Sequence, residues 1–310
     1  MLGTPFLIPE IPMRHSTTLL ALACAAVLAG CQPASTPQNE HTSTPAPAPA
    51  PVAEPAAPVV DAAQETRQRL EAIVAGEHRS DADRARDAYR HPVETLTFFG
   101  VTPGATVIEI TPGAGWYADI LAPFLRANGT YVAAIWDDTL PDQPEYYARL
   151  NTRLNEKFTA APDVYGEPEL RRFDPSAPIF GKPGSADVVL TFRNAHNWIG
   201  NGTAPAFFSA FHEVLKSGGI LGVTDHRAKG DAATDGKSGY VTEEQIIGLA
   251  IGAGFRLVER SEINANPNDT ADHPRGVWTL PPNFALGDED REKYAAIGES
   301  DRMTLKFVKP

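Results

Sequence analysis

Cysteine is almost missing from this chain. Only Cys24 and Cys31 occur, and residues 32 to 310 contain none. That excludes a disulfide-stapled body, a cysteine-ligated zinc or iron–sulfur centre, and a cysteine nucleophile in the main part of the chain. Positive charge is also short, with 27 Lys and Arg against 39 Asp and Glu and a net charge of −12. A nucleic-acid binder, whose affinity rests on a basic surface, is therefore not expected. No His-x-x-x-His or carboxylate-cluster spacing argues for a metal, and no internal repeat is visible. The apolar run before Cys31 is about a dozen residues, whereas a transmembrane helix needs about 20. Proline is the excess: of 28 in the chain, eight fall between Pro33 and Pro58.

The first sixty residues read as an address and a tether. Arg14 and His15 precede the run from Thr17 to Val27, and Leu28-Ala29-Gly30-Cys31 closes it. A positive start, a short apolar stretch and small residues at its end make an export signal over residues 1–30, with Met13 a plausible true start. Leu28-Ala29-Gly30-Cys31 resembles the lipobox of bacterial lipoproteins, which implies acylation of Cys31. Gln32 after that cysteine resembles lipoproteins sent on to the outer membrane, facing the periplasm. The Pro/Ala/Ser/Thr-rich segment up to residue 60 cannot bury enough apolar surface to offset its ordering entropy, so a disordered linker is expected.

Residues 61–310 suit one domain. Helical spacing appears at Leu70, Ile73 and Val74, and again over residues 80–89, with Arg90-His91-Pro92 ending or restarting that helix. Strands are expected at 106–110, 130–136, 170–173, 186–192, 220–224, 255–260 and 303–308. Helices are expected at 116–125, 146–158, 206–215 and 243–252, with Ser217-Gly218-Gly219 ending the third of these. Such alternation predicts an α/β fold with a doubly wound, seven-stranded, mostly parallel sheet.

In such sheets ligands bind outside the carboxyl ends of the strands. That rule selects residues 111–117, Asp137-Asp138, Asp174, residues 193–198 and Asp225-His226. Gly113 and Gly115 let backbone approach a ligand, and the helix start behind them offers free N–H groups to an anion. Among the residues after strand four, His196 has an imidazole whose ordinary pKa suits proton acceptance, and Asn194 and Asn197 can orient a partner. His226 is a second candidate base. His91 reads as structural, and Tyr146-Tyr147 as packing. The long stretch from Asn264 to Pro274 is placed to cover a substrate mouth. Asp288-Glu289-Asp290 with Arg291 reads as a solvated helix face.

Val107-Ile108-Glu109-Ile110-Thr111-Pro112-Gly113-Ala114-Gly115 resembles motif I of class I S-adenosylmethionine-dependent methyltransferases. Leu215-Lys216-Ser217-Gly218-Gly219 and Ala253-Gly254-Phe255 are similar to the turns before that family's fifth and sixth strands. More narrowly, Pro112-Gly113-Ala114-Gly115-Trp116-Tyr117 and the closing Lys306-Phe307-Val308-Lys309-Pro310 resemble a group of exported bacterial methyltransferases. The resemblance covers about 200 residues and implies the Rossmann-like class I methyltransferase fold. It also implies S-adenosyl-L-methionine as cofactor. The residues it places on that cofactor are Glu109, Thr111, Pro112, Gly113, Ala114, Gly115, Trp116 and Tyr117, with Asp137 on the ribose and Asp174 on the adenine side. His196, His226 and Asn194 would face the acceptor. Two departures stand out. The family usually has Gly where this chain has Thr111, and its ribose acid closes strand two where Trp136 stands.

The function that follows is methyl transfer to a small or lipid-like acceptor by a domain anchored to a membrane. Two other readings remain. Gly113-Ala114-Gly115-Trp116-Tyr117-Ala118 with Asp137 also fits the dinucleotide fingerprint of an NAD(P)-dependent oxidoreductase. A non-catalytic binding module on the same scaffold fits the two departures, and it fits export away from where S-adenosylmethionine is made. The acceptor and the oligomeric state are not specified by the sequence.

Overall fold

The computed structural model describes residues 61–310, so the export signal, the linker and Cys31 lie outside the described residues. The polar N-terminal region forms four helices: α1 (Ala62–Val74), α2 (Asp81–Arg84), α3 (Asp87–Arg90) and α4 (Pro92–Phe98). The expected helix over 80–89 is thus broken in two, and α4 restarts on Pro92. His91, barred from right-handed helical backbone by the following proline, takes φ 39° instead.

Seven strands follow: β1 (Thr106–Ile110), β2 (Thr130–Trp136), β3 (Glu169–Phe173), β4 (Ala186–Phe192), β5 (Leu215–His226), β6 (Arg256–Ser261) and β7 (Arg302–Val308). Helices α5 (Ala118–Leu125), α6 (Glu145–Ala160), α7 (Pro162–Tyr165), α8 (Ala195–Gly200), α9 (Ala204–Val214), α10 (Glu243–Gly252) and α11 (Arg291–Ile297) connect them. The strand order is β3-β2-β1-β4-β5-β7-β6. Strands β1 to β5 pair in parallel, and β7 runs antiparallel between β5 and β6. This is the doubly wound, mostly parallel sheet expected from the alternation.

Alternate residues of each central strand serve opposite faces of the sheet. On one face Ile108, Ile110, Val132, Val189 and Leu221 pack with Phe207, Phe208 and Phe211 of α9. On the other, Val107, Tyr131, Ala133 and Leu190 pack with Leu70, Leu96, Phe99, Ile120 and Phe124. Both faces are covered, which is why the central strands read as continuous apolar runs. A Cβ on Gly222 would lie 2.7 Å from the Phe99 ring, so glycine there lets the end of α4 sit directly on β5. Among the described residues no helix is long and apolar enough to cross a membrane.

Three local expectations differ. Ser217-Gly218-Gly219 lies inside the span of β5 rather than before it, as an excursion between the pairs Ala186–Leu215 and Val188–Ile220. The stretch 193–198 after strand four, where no helix is expected, opens α8 over residues 195–200. The acidic run 288–290 precedes α11 as exposed turn instead of forming a helix face.

The stretch 264–274 braces the fold. The carboxylate of Asp269, fully buried, accepts hydrogen bonds from the Tyr240 hydroxyl, the Ala271 and Asp301 N–H groups and His273. Asn264 donates to the Thr95 and Thr304 hydroxyls. These bonds fix the approach to β7.

Candidate functional site

Strand order reverses between β1 and β4, the position where doubly wound sheets open a crevice for ligands. A cavity of about 830 Å³ lies there, ample for a cofactor-sized ligand. Glu109, Thr111, Pro112, Gly113, Ala114, Trp116 and Tyr117 line one side, with Trp136 from the end of β2. Arg193, Asn194, His196, Asn197 and His226 line it from β4, α8 and β5. Trp278, Pro281, Pro282 and Asn283 close it, the role that the sequence assigned to residues 264–274.

The loop after β1 is strained where it meets the cavity. Thr111 adopts φ 49°, a conformation costly for a β-branched residue, and its buried hydroxyl finds no partner among the described residues. Gly113, at φ 63°, would carry a Cβ into open space, so its backbone is accessible from the cavity. Gly115 has a different reason to be glycine: a Cβ there would lie 2.8 Å from Leu154 of α6, and it is not a lining residue.

Glu109 is buried and accepts a 2.6 Å hydrogen bond from the Tyr131 hydroxyl. Burial raises its pKa to about 7, against the lowering effect of that bond. The folded state therefore holds this proton more tightly than the unfolded chain does. Stability is full below the ordinary value of 4.5 and declines as pH rises to about 7. At 1.36 kcal/mol per unit, the decline is on the order of 3 kcal/mol. Glu109→Gln should remove it. In thermal melts the variant is expected to match the wild type at acidic pH and to exceed it above neutrality; parallel curves at all pH values would refute this.

Asp137 and Asp174 do not line the cavity. The Asp137 carboxylate accepts from the Thr139 N–H and hydroxyl, and Asp174 accepts from the Ser176 N–H and hydroxyl. Each caps its own turn. At the end of β2 it is Trp136 that meets the cavity, stacked on Tyr147 with ring centroids 4.2 Å apart. The backbone carbonyl of Trp136 accepts from Asn151 of α6.

On the opposite wall α8 places His196 in its first turn. Asp225, fully buried at the end of β5, accepts from the His196 N–H at 3.1 Å and from His196 Nδ1 at 2.9 Å. It also accepts from the His226 N–H at 2.8 Å. The carboxylate can only accept, so Nδ1 carries the proton and Nε2 is left with the lone pair. His226 packs 5.3 Å from His196, centroid to centroid, and its Nδ1 bonds Ser300. Burial, with His196, Arg302, Arg193 and Arg90 nearby, lowers the His226 pKa well below the ordinary value, so this imidazole is neutral. Asn194 donates to the Ile110 carbonyl, tying the ends of β1 and β4 together.

His196, Asp225 and His226 bring one potential ligand atom each within 4.8 Å of one another. Asp225 Oδ1 accepts two N–H bonds and Oδ2 one, a set of bonds that orients the His196 ring.

The sequence reading missed the third wall. Arg86 and Arg90 come from the N-terminal helical region, and Glu299, Ser300 and Arg302 from the approach to β7 and its first residue. The Arg90 guanidinium lies 4.6 Å from the centre of the Trp116 ring. Arg86 and Glu299 are 213 residues apart, and no local spacing signals their meeting.

No protein-family model matches the chain, and no curated protein sequence does. Solved structures do. A SAM-dependent methyltransferase from Aquifex aeolicus is similar at 15% identity over 79% of this chain and 98% of that one, with a TM-score of 0.50. The [4+2]-cyclase SpnF is similar at 16% identity over 76% and 86%, with a TM-score of 0.52. Phosphoethanolamine N-methyltransferase 2 of Haemonchus contortus, in complex with S-adenosyl-L-methionine, is similar at 16% over 79% of this chain and 60% of that one, with a TM-score of 0.50. The chain has the Rossmann-like fold of class I methyltransferases. A cyclase among these neighbours shows that the fold alone does not name the chemistry.

Proposed function

We propose that the protein is an S-adenosylmethionine-dependent methyltransferase acting on a small or lipid-like acceptor. The observation that carries this is one cavity shared by the loop after β1 and by a histidine held by a buried carboxylate. The unpaired Thr111 hydroxyl, the open backbone at Gly113 and the buried Glu109 fit a polar cofactor on the first wall. S-adenosylmethionine supplies a methyl group on a sulfonium sulfur. The chain's own part is mainly positioning, because methyl transfer depends on an in-line approach. His196 takes the acceptor's proton at Nε2, while Asp225 holds the ring and stabilises the imidazolium that forms. Trp278 and Pro281-Pro282 limit the access of water.

The dinucleotide-oxidoreductase reading is disfavoured by the antiparallel β7 inserted between β5 and β6, since the dinucleotide order is 3-2-1-4-5-6. The binding-module reading keeps one supporting observation: the carboxylates of Asp137 and Asp174 are spent in their own turns. We further propose that the domain is exported and tethered through Cys31 to a membrane, a reading supported by the charged start, the apolar run and the lipobox-like residues within 14–32.

Calorimetric titration of the protein with S-adenosylmethionine and S-adenosylhomocysteine tests the main reading. Saturable binding of both is expected, abolished by Gly113→Arg, whose side chain would enter the cavity. Folded protein that gives no heat with either ligand would leave the binding module as the better account.

A further inference from the structure

Six cationic side chains line the cavity against four acidic ones, in a chain whose net charge is −12. The excess is concentrated on the third wall. Glu299, 3% exposed, accepts from Arg86, Arg90 and Arg302 together. One carboxylate thus serves three guanidinium groups. Buried nitrogens remain unpaired among the described residues: Nη2 of Arg86, Nη2 of Arg90 and Nε of Arg302. Arg90 and Arg302 are each only 2% exposed. Arg193 lines the same cavity and adds a fourth positive charge there; after burial, the charges of Arg302, Glu299 and Arg86 act most strongly on it. Its backbone is held at φ 61° at the end of β4, a strained conformation of the kind that collects at ligand sites.

Burying cations without partners costs several kcal/mol each unless something neutralises them. Guanidinium groups arriving from different elements match the oxygens of a carboxylate or phosphate, which they bind in forked pairs. We propose that Arg86, Arg90, Arg193 and Arg302, gathered around Glu299, form the subsite for an anionic group, carboxylate or phosphate, on the methyl acceptor. The assignment to the acceptor rests on the methyltransferase reading; the anion site itself does not. Position supports the acceptor. Ser300, between Glu299 and Arg302, contacts His226, and Arg193 lies three residues before His196. An anion held there sits beside the base and offsets the positive charge that a sulfonium would add to the cavity.

The test is titration of the full chain with inorganic phosphate and with acetate at low ionic strength, with and without saturating S-adenosylhomocysteine. At least one anion should bind saturably at one site, and the tighter of the two identifies the group. Arg193→Met and the half-buried Arg86→Gln should each weaken it about ten- to a hundredfold, the worth of a charge-assisted bond. Arg193→Lys should retain most of the affinity. S-adenosylhomocysteine should bind all of these variants as it binds the wild type. Absence of saturable binding of either anion, or unchanged affinity in both charge-removing variants, would overturn the proposal. Mutual exclusion of anion and S-adenosylhomocysteine would also overturn it, by assigning the arginines to the cofactor's own carboxylate. Anion binding without any binding of S-adenosylhomocysteine would keep the anion site and remove the methyltransferase reading.

Discussion

Replacing Glu299 by glutamine is expected to cost about 3–5 kcal/mol of folding stability, the usual penalty for breaking a buried ion pair from one side. Three guanidinium groups would lose their one shared counter-charge. Denaturant titration of wild type and variant measures the difference, and a loss under about 1 kcal/mol would mean that the arginines are well solvated in spite of their burial. The same carboxyl makes a prediction in pH. Despite the opposing effect of burial, the three arginines hold its pKa at about 2, below the ordinary 4.5. A depressed folded-state pKa contributes stability that is present above the unfolded value. That contribution, on the order of 3 kcal/mol, is lost as pH falls from about 4.5 to 2. If an anion occupies the subsite, phosphate should restore part of the variant's stability, because a ligand that binds only the folded state stabilises it.

Asp225→Asn is expected to produce the largest loss of turnover. The amide has a single oxygen; with that oxygen kept on the His196 N–H, its NH₂ takes the place of Oδ1, loses the bond from the His226 N–H, faces His196 Nδ1 and forces the proton to Nε2. The nitrogen needed as base would then be blocked. General-base contributions are about 10²–10⁴-fold, and a loss in that range is expected in the transfer of labelled methyl groups to an anionic acceptor. The tautomer is directly observable in ¹⁵N imidazole spectra, whether or not the acceptor has been found. Wild type should show His196 protonated at Nδ1 and the variant at Nε2. An unchanged tautomer would leave Asp225 as a purely structural carboxylate.

The parts of this site that were legible in the sequence are the local ones. Val107-Ile108-Glu109-Ile110 forms a strand because a β-branched run suits a sheet buried on both faces. Gly113 marks a tight strand-to-helix turn because only glycine takes its backbone angle cheaply. The rule about strand ends by itself puts Arg193, Asn194, His196 and His226 near a ligand. What each would do there was not legible. Asp225 stood beside His226 in sequence, yet it serves His196, 29 residues away. Asp137 and Asp174 occupied the expected positions after their strands, but each is followed two residues later by a hydroxyl that captures it.

By itself, the sequence determined the alternation of elements, the seven strands, the glycine turn and the absence of cysteine chemistry after residue 31. Each follows from interactions within a few residues, which periodicity and side-chain type record. Tertiary structure alone decided that a positively charged wall exists in an acidic protein. Arg86 and Arg90 precede the first strand, Glu299 and Arg302 stand just before and at the start of the last, and only the antiparallel return of β7 beside β5 brings them together. No local pattern encodes such a meeting, because its energy comes from burial and opposite charge at contact, not from neighbours along the chain.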